Sequence, residues 1–353
     1  MAALCDLLAA GLVEKDTNGD VLWVWSYPSV TNEQRDFLSE KIGLTKSHDS
    51  LTGFVYSHWQ HTWYYILTTE VEGSPSIQKV THFSVILTTK DFNPEKYEAL
   101  SKLLSRQYMK TGNPAHMLEH YLSVITKGTC NNEENGKFSV IDFDSRHAFA
   151  NSQLKSIIQT HGAETILLYT AMLLKKRIAV YFPRHSIGDL LSFTRSLPAL
   201  VWHRQNWDVV YPFLSLTEND VSSVKHINHY VVGFTEAEIE GRSDLYDIFV
   251  NGPANQITVS SQAKEYFTLG KLHKDISMVM IESAEKPENT DQDVIKDIAK
   301  KTKELLTNLK SLASDDGSGN VFITLESLRE RKMPPARESF LFNLAACEGL
   351  VQL

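Results

Sequence analysis

"RIAVYFPRHSIGD", residues 177–189, decides the fold class. The run from Arg177 to Phe182 is short and apolar, stops at Pro183, and gives way to a helical pattern near Ile187. A buried strand that turns directly into a helix is the building unit of an α/β sheet. In nucleotide-binding proteins built that way the corner is rich in glycine, because the phosphate must approach free backbone N–H groups at the helix N-terminus. Between Phe182 and Asp189 the one glycine is Gly188, inside the helix, and neither G-x-G-x-x-G nor G-x-x-x-x-G-K-[ST] occurs in the chain. Ser186 and Asp189 have capping-box spacing instead. The corner is therefore expected to satisfy its own donors, leaving Arg184 and His185 as contact residues on an exposed turn.

Working outward, "ETILLYTAMLLKK" before the corner reads as a helix, and "SIGDLLSFTRSL" after it as another. "WDVVYPFL", "HYVVGF", "LYDIFV" and "QITVS" read as strands, so residues 141–261 predict a partly parallel sheet with helical crossovers. Toward the N-terminus the order changes. "VLWVWSY", "LTGFVYSHW", "WYYILTTEV" and "THFSVILTT" are strand-like and precede two helices, one opened by Asn93-Pro94 with Tyr97, Leu100, Leu104 and Tyr108 on one face. Pro114 opens the other, with Met117, Leu118, Tyr121, Leu122 and Ile125 expected inward. Strands followed by helices predict an α+β lobe over residues 1–140 with an antiparallel sheet. "MAALCDLLAAGLVEKD" is a helix or strand lead-in, since it lacks a basic start and meets Asp6 too early for a signal peptide. "KGTCNNEENGK", 127–137, reads as a linker. Residues 262–353 turn helical, with Ile295, Ile298, Thr302, Leu305, Leu309 and Leu312 at steps of three and four, a seam suited to an intramolecular bundle and ended by a turn at 315–319.

Composition bounds the function. The chain has 353 residues, 42% hydrophobic and 22% charged, as in a folded globular protein. Its net charge of −8 supplies no basic field, which argues against nucleic acid as a partner. Cys5, Cys130 and Cys347 are scattered and odd in number, so a reducing, cytosolic setting is favoured and no disulfide framework is expected. Ser50–Thr69 carries no formal charge, but its histidines, threonines and alternation read as paired strands and not as a bilayer helix. Direct membrane insertion is not expected.

Four motifs carry enzyme-like chemistry. "HMLEH", 116–120, matches H-x-x-E-H, in which His116 and His120 would share a helix face and chelate zinc while Glu119 activated water. The reading as a zinc peptidase lacks a third ligand, and the helical wheel puts all three side chains off the apolar stripe. "HWQH", 58–61, sits in a strand, where its histidines point to opposite faces. "HINH", 226–229, reads as a strand entry with hydrogen-bonded imidazoles. "AACEG", 345–349, matches the caspase nucleophile signature in part and is better explained as a terminal helix ending at Gly349. No cofactor or metal is expected.

The middle of the chain discriminates further. "LLYTAMLLKKRIAVYF", "LLSFTRSLPALVWHRQNWDVVYPFLSL", "HYVVGF" and "YDIFV…NQITV" resemble, in order and spacing, the central module of the DENN domain family, with Leu173, Leu174, Arg177, Trp202, Pro212, Leu214, Tyr230 and Gly233 at matching positions. "LWVWSYPSV", 22–30, resembles the entry strand of the family's upstream module. Lys175, Asn228 and Phe249 depart from the pattern. The resemblance implies a bilobal α+β and α/β architecture: a longin-like N-terminal lobe at 1–140, a central α/β lobe at 141–261 and C-terminal helices at 262–353. It also implies a guanine nucleotide exchange factor for a Rab GTPase, without covalent catalysis, cytosolic and recruited to endosomes, late endosomes above all. The alternative it leaves is a non-exchanging adaptor that joins coiled-coil or other endosomal complex subunits through the same fold. Arg35, Arg184, His185 and Arg204 are the candidate partner-binding residues, all expected on the surface, with Trp202 and Trp207 expected in the core.

Overall fold

The computed structural model describes residues 6–44, 53–132, 136–315 and 321–351. They form two compact units, Met1–Ala148 and Phe149–Leu353.

The first unit begins with β1 (Leu7–Asp16) and β2 (Val21–Tyr27), continues through α1 (Asn32–Ile42), and adds β3 (Gly53–Trp59), β4 (Thr62–Glu70) and β5 (Val80–Thr89). The five strands pair antiparallel in the order β2-β1-β5-β4-β3. The N-terminal lead-in is thus a strand from Leu7 onward, and residues 1–5 lie outside the described residues. Helix α1 was not among the expected elements, although Thr31 and Gln34 form the capping box that T-x-x-Q spacing signals. Helices α2 (Pro94–Thr111) and α3 (Pro114–Lys127) start as read, with Asn93 and Asn113 accepting first-turn amides and proline at the first helical position. Helix α2 packs on β4 and β5. Its Tyr97 and Tyr108 are buried against Tyr65 and Phe83 of those strands. Helix α3 differs from the expected face. Met117, Tyr121 and Val124 are buried while Leu122 is exposed, and the Tyr121 hydroxyl donates to the Leu8 carbonyl oxygen at 2.9 Å. The segment expected as a linker contains a hairpin, β6 (Thr129–Asn132) with β7 (Gly136–Ser139), and α4 (Ser145–Ala150) follows. Residues 133–135 at the hairpin tip lie outside the described residues.

The second unit carries the element order read from the opening motif. Helices α5 (Leu154–His161) and α6 (Thr165–Leu173) lead to β8 (Ile178–Tyr181), and α7 (Ile187–Ser196) leads to β9 (Val210–Leu214). Then come α8 (Glu218–Lys225), β10 (Val231–Phe234), β11 (Ile248–Asn251) and β12 (Gln256–Val259). The sheet order is β12-β11-β8-β10-β9, parallel except for the β11–β12 hairpin. Ile178, Ala179 and Val180 are fully buried, as in a strand covered on both faces. Strands β9 and β10 approach so closely that a β-carbon on Gly233 would collide with the Pro212 carbonyl oxygen and the Leu190 side chain. At one end of the sheet the Arg177 guanidinium pairs with Asp247 at 3.0 Å, and the Tyr230 hydroxyl donates to the Leu245 carbonyl oxygen.

The corner itself departs from its reading. Arg184–Ser186 form a 3-10 turn that runs into α7, and Ser186 makes no side-chain cap. Its amide donates to Pro183 O at 2.8 Å. The chain enters helical geometry at Arg184, one turn sooner than the capping-box spacing implied, so Ser186 lies within the helical path and cannot stand ahead of it as a cap.

Helices α9 (Lys271–Glu285) and α10 (Asp291–Lys310) pack together and against α5, α10 also against the 3-10 segment Leu197–Val201. The seam is buried at Ile295, Ile298, Thr302, Leu305 and Leu309. Its polar member is satisfied, since Thr302 Oγ1 donates to Ile298 O and lies 2.9 Å from the Tyr169 hydroxyl. The two-residue strands β13 (Ser314–Asp315) and β14 (Val321–Phe322) pair beyond it, and residues 316–319 of the expected turn lie outside the described residues. Helices α11 (Leu325–Arg329) and α12 (Pro335–Cys347) complete the unit.

Candidate functional site

The four candidate cations fall in three environments. Arg35 is exposed on α1, with its guanidinium 5.6 Å from the Trp23 ring centroid. Trp23 is fixed in turn by its indole N–H, which donates to Ser39 Oγ at 2.8 Å, and its ring covers Gly11, where a β-carbon would touch it. Arg184 is half-buried and His185 exposed on the 3-10 turn that follows β8. That turn lies at the C-terminal end of a parallel strand, the edge at which open α/β sheets present their binding residues.

Arg204 corrects the sequence reading. Its guanidinium is held inside the second unit, donating to Met172 O and Leu173 O at 2.7 Å each and to Glu348 Oε1 at 2.5 Å. It thereby caps the open carbonyls at the end of α6 and ties that end to the end of α12. Burial alone would push the Glu348 carboxyl up; hydrogen bonds with His203 and Arg204 overcome this and bring it down to about 2. Glu348 stands where α12 stops, ahead of Gly349 in the left-handed region, with Leu350 N–H bonded to Ala345 O and Gly349 N–H to Ala346 O. This Schellman arrangement accounts for "AACEG" as a helix end. A C-terminal acid is hard to pair with an arginine more than a hundred positions away from spacing alone, and so the contact was missed. Of the two tryptophans expected in the core, Trp207 is buried, stacked on Phe149 at 4.4 Å, while Trp202 is half-buried.

The histidine motifs resolve as surface or packing residues. His116 and His120 lie one turn apart on α3, both half-buried, with Glu119 exposed. Burial lowers the His120 pKa, Glu119 raises it and His116 lowers it. Among the described residues no group of three or more His, Cys, Asp or Glu side chains is placed to hold a metal ion. His58 is buried beside Trp63 in β3, and His61 occupies the turn to β4. His229 Nδ1 meets Lys176 O at 3.0 Å, and burial lowers its pKa.

One surface was not foreseen. Edge strand β2 exposes Leu22 (58%), Val24 (41%) and Tyr27 (42%), with Tyr27 reaching Tyr121 of α3. "VLWVWSY" carries no charge, and an uncharged strand is an unusual choice for a sheet edge, where charges normally discourage pairing. That combination was legible once the strand order was known.

Across 347 residues the chain is 49% identical to the zebrafish protein named DENN domain-containing protein 10, covering 98% of each. This chain belongs to the DENN domain family. It is a stand-alone member, since it also aligns over 98% of its length with the human DENN domain-containing protein 10 (47% identical, 97% of that protein) and over 96% with the Dictyostelium discoideum one (39% identical, 96% of that protein). A family model described as "Stabilization of polarity axis" matches residues 151–261, the stretch that forms α5 to the end of the second sheet. Within this DENN fold the positions that carried the resemblance are structural. Arg177 closes one end of the sheet with Asp247, Tyr230 buries its ring beneath it, and Gly233 and Pro212 make the contact between β9 and β10.

Proposed function

We propose that this chain is a guanine nucleotide exchange factor for a Rab GTPase in endosomal, and in particular late-endosomal, vesicle trafficking. The observation that carries the reading is the full-length relationship to DENN domain proteins, which spans both compact units and not one module. An exchange factor of this kind breaks no covalent bond. It binds the nucleotide-free GTPase more tightly than the loaded form, and by linkage nucleotide affinity falls by the same factor. A coupling of about 4 kcal/mol weakens nucleotide binding roughly a thousandfold. Such work requires a broad partner surface. Arg35 and the apolar edge of β2 in the first unit, and the Arg184–His185 turn in the second, are each exposed or half-exposed features suited to partner contact. Arg204 belongs to it only indirectly, by holding α6 and α12 in place. Among the described residues no helix is long and apolar enough to cross a membrane, and recruitment to an endosome would run through partners.

The test is nucleotide release from a panel of GDP-loaded Rabs mixed with the purified chain. Acceleration for one or a few Rabs, with a complex that persists without nucleotide and dissociates on adding GTP, is the expected result. Arg35→Glu and Arg184→Glu should slow that release, the exposed Arg35→Glu without lowering the melting temperature. Silence across the whole panel, with stable assembly onto coiled-coil subunits of an endosomal complex, would replace the exchange factor by an adaptor built on the same fold.

A further inference from the structure

The chain contains three Asn-Gly pairs, Asn18–Gly19, Asn135–Gly136 and Asn251–Gly252. In such a pair the asparagine side-chain amide lies beside a backbone nitrogen that no following β-carbon shields. That nitrogen can attack the side-chain carbonyl carbon once the backbone swings into line, and glycine permits the swing. Asn135 lies outside the described residues. The other two pairs both stand at hairpin turns, and the fold treats them in opposite ways.

Asn18 and Gly19 are exposed in the turn between β1 and β2. Gly19 has a φ of +93°, and apart from its chain neighbours nothing lies within 4 Å of where a β-carbon would stand. Asn18 N–H donates to Asp16 Oδ1 at 2.8 Å, Asn18 Nδ2 to Asp16 Oδ2 at 3.2 Å, and Gly19 N–H to Asp16 O at 3.1 Å. All three bonds end on one residue of the same turn, so freeing the pair disturbs no packed side chain. Asn251 instead belongs to β11, between Tyr181 of β8 and Gln256 of β12, and its Oδ1 accepts the Ala254 N–H at 3.2 Å. Gly252 N–H donates to Tyr181 O at 2.9 Å, and the Phe182 ring comes within 2.3 Å of where a β-carbon would stand. The ring blocks the swing that attack needs.

We propose that Asn18 is a site of spontaneous deamidation through a succinimide, and that the fold protects Asn251 from the same reaction. Gly19 N loses its proton to solvent and bonds to Asn18 Cγ. The Cγ–Nδ2 bond breaks, and the side-chain nitrogen leaves as ammonia with a proton taken from water. Water then opens the ring. Addition at Cγ gives aspartate on the ordinary backbone, whereas addition at the backbone carbonyl carbon gives isoaspartate, with the chain routed through the β-carbon. Either product sets a third carboxylate between Asp16 and Asp20, and the Asp16 Oδ2 that accepted Nδ2 then faces a like charge. The isoaspartyl form also lengthens the backbone of the turn. Both loosen the end of the β1–β2 ladder, where Lys15 pairs with Val21, and β2 is the edge strand that exposes Leu22 and Val24. The site is independent of GTPase exchange and is tested without it.

The experiment is peptide mapping by mass spectrometry of the full chain aged in mildly alkaline buffer, with isoaspartate read by an isoaspartyl-specific carboxyl methyltransferase and a labelled methyl donor. In the folded chain Asn18 should convert at least about tenfold faster than Asn251, the ratio that a local opening cheaper by about 1.4 kcal/mol gives. In guanidinium the two rates should converge, because the fold no longer distinguishes the pairs. Phe182→Ala should speed conversion at Asn251 and leave Asn18 unchanged. The aged chain should exchange the amide hydrogens of β2 faster than fresh chain. Equal rates at the two sites in the folded chain, or an Asn18 that survives while the guanidinium-unfolded chain converts, would overturn the proposal. Unchanged exchange in β2 after conversion would remove the effect assigned to the edge strand.

Discussion

The sheet of the first unit and the sheet of the second each have five strands, yet they tolerate change differently. In the first, antiparallel strands of seven to ten residues pair through long ladders, and an edge strand with a register shift, β2, lies half open to solvent. In the second, four- and five-residue parallel strands are buried almost throughout, and helices cover them. Long ladders with an open edge can relax around an error. Short strands packed on both faces cannot, because every neighbour is itself fixed.

Two glycines test this most severely. Gly233→Ala places a methyl group against the Pro212 carbonyl oxygen, a backbone atom of the adjacent parallel strand, and against Leu190. The sheet must separate to admit it, at a cost of about 3 kcal/mol. Gly11→Ala meets the tip of the Trp23 ring, 2.9 Å from where the methyl would lie. That ring belongs to a half-buried residue of an edge strand, and displacing it outward costs at most its hydrogen bond to Ser39, so about 1 kcal/mol is expected. Thermal unfolding with hydrogen exchange on the amides of β8 and β1 separates the two units. Equal losses would mean that the sheets do not differ in this way.

The same contrast explains what was legible beforehand. Strands announced by alternation or by a closed apolar run, helices announced by Asn-Pro, and the α10 seam could be read because each rests on local periodicity. Helix α1 was missed because its charged sequence has a weak apolar stripe, and the Ser186 cap failed because spacing cannot tell a cap from a 3-10 entry. Of the candidate site, Arg35 and His185 lie where exposure was expected, whereas Arg204 was misread. Its partners, Met172 O, Leu173 O and Glu348, are assembled by tertiary folding and leave no trace in the spacing of residues.

Two carboxylates sharpen the comparison through pH. Glu348 is held at about 2 in the folded chain against an ordinary value of 4.5. Its contribution, about 3 kcal/mol from that difference, is present above the unfolded carboxylate range and is lost as pH falls from about 4.5 toward 2. In the first unit Glu14 accepts from the Tyr108 hydroxyl, and burial raises its pKa. The sign reverses: ionised Glu14 opposes folding at neutral pH, and protonation relieves it as pH falls through the raised value. Glu348→Gln should therefore lower stability at pH 7 and flatten the acid limb of the second unit, while Glu14→Gln should raise the stability of the first unit at pH 7. Urea unfolding at a series of pH values measures both. The same sign for the two substitutions at pH 7 would contradict the assignment.

Buried hydroxyl pairs give the smallest and finest test. In the first sheet Thr68 of β4 faces Ser84 of β5 directly across the ladder, Oγ1 to Oγ 2.7 Å. In the second unit Thr302 of the α10 seam meets Tyr169 of α6 at 2.9 Å, and burial raises the Tyr169 phenol to about 12. Thr302→Val keeps the shape of the side chain but strands the phenolic O–H in an apolar setting, for a loss of about 1–2 kcal/mol. Adding Tyr169→Phe removes the stranded group, so the double variant should regain part of that loss. Ser84→Ala also orphans a hydroxyl, but Thr68 can turn its short side chain toward a neighbouring carbonyl, which limits the loss to about 1 kcal/mol. A double-mutant cycle at each pair reads the difference. A coupling at Thr68–Ser84 as large as that at Tyr169–Thr302 would show that the antiparallel sheet is as unforgiving as the packed helices of the second unit, and the contrast drawn from the two glycines would then be a property of Gly233 alone.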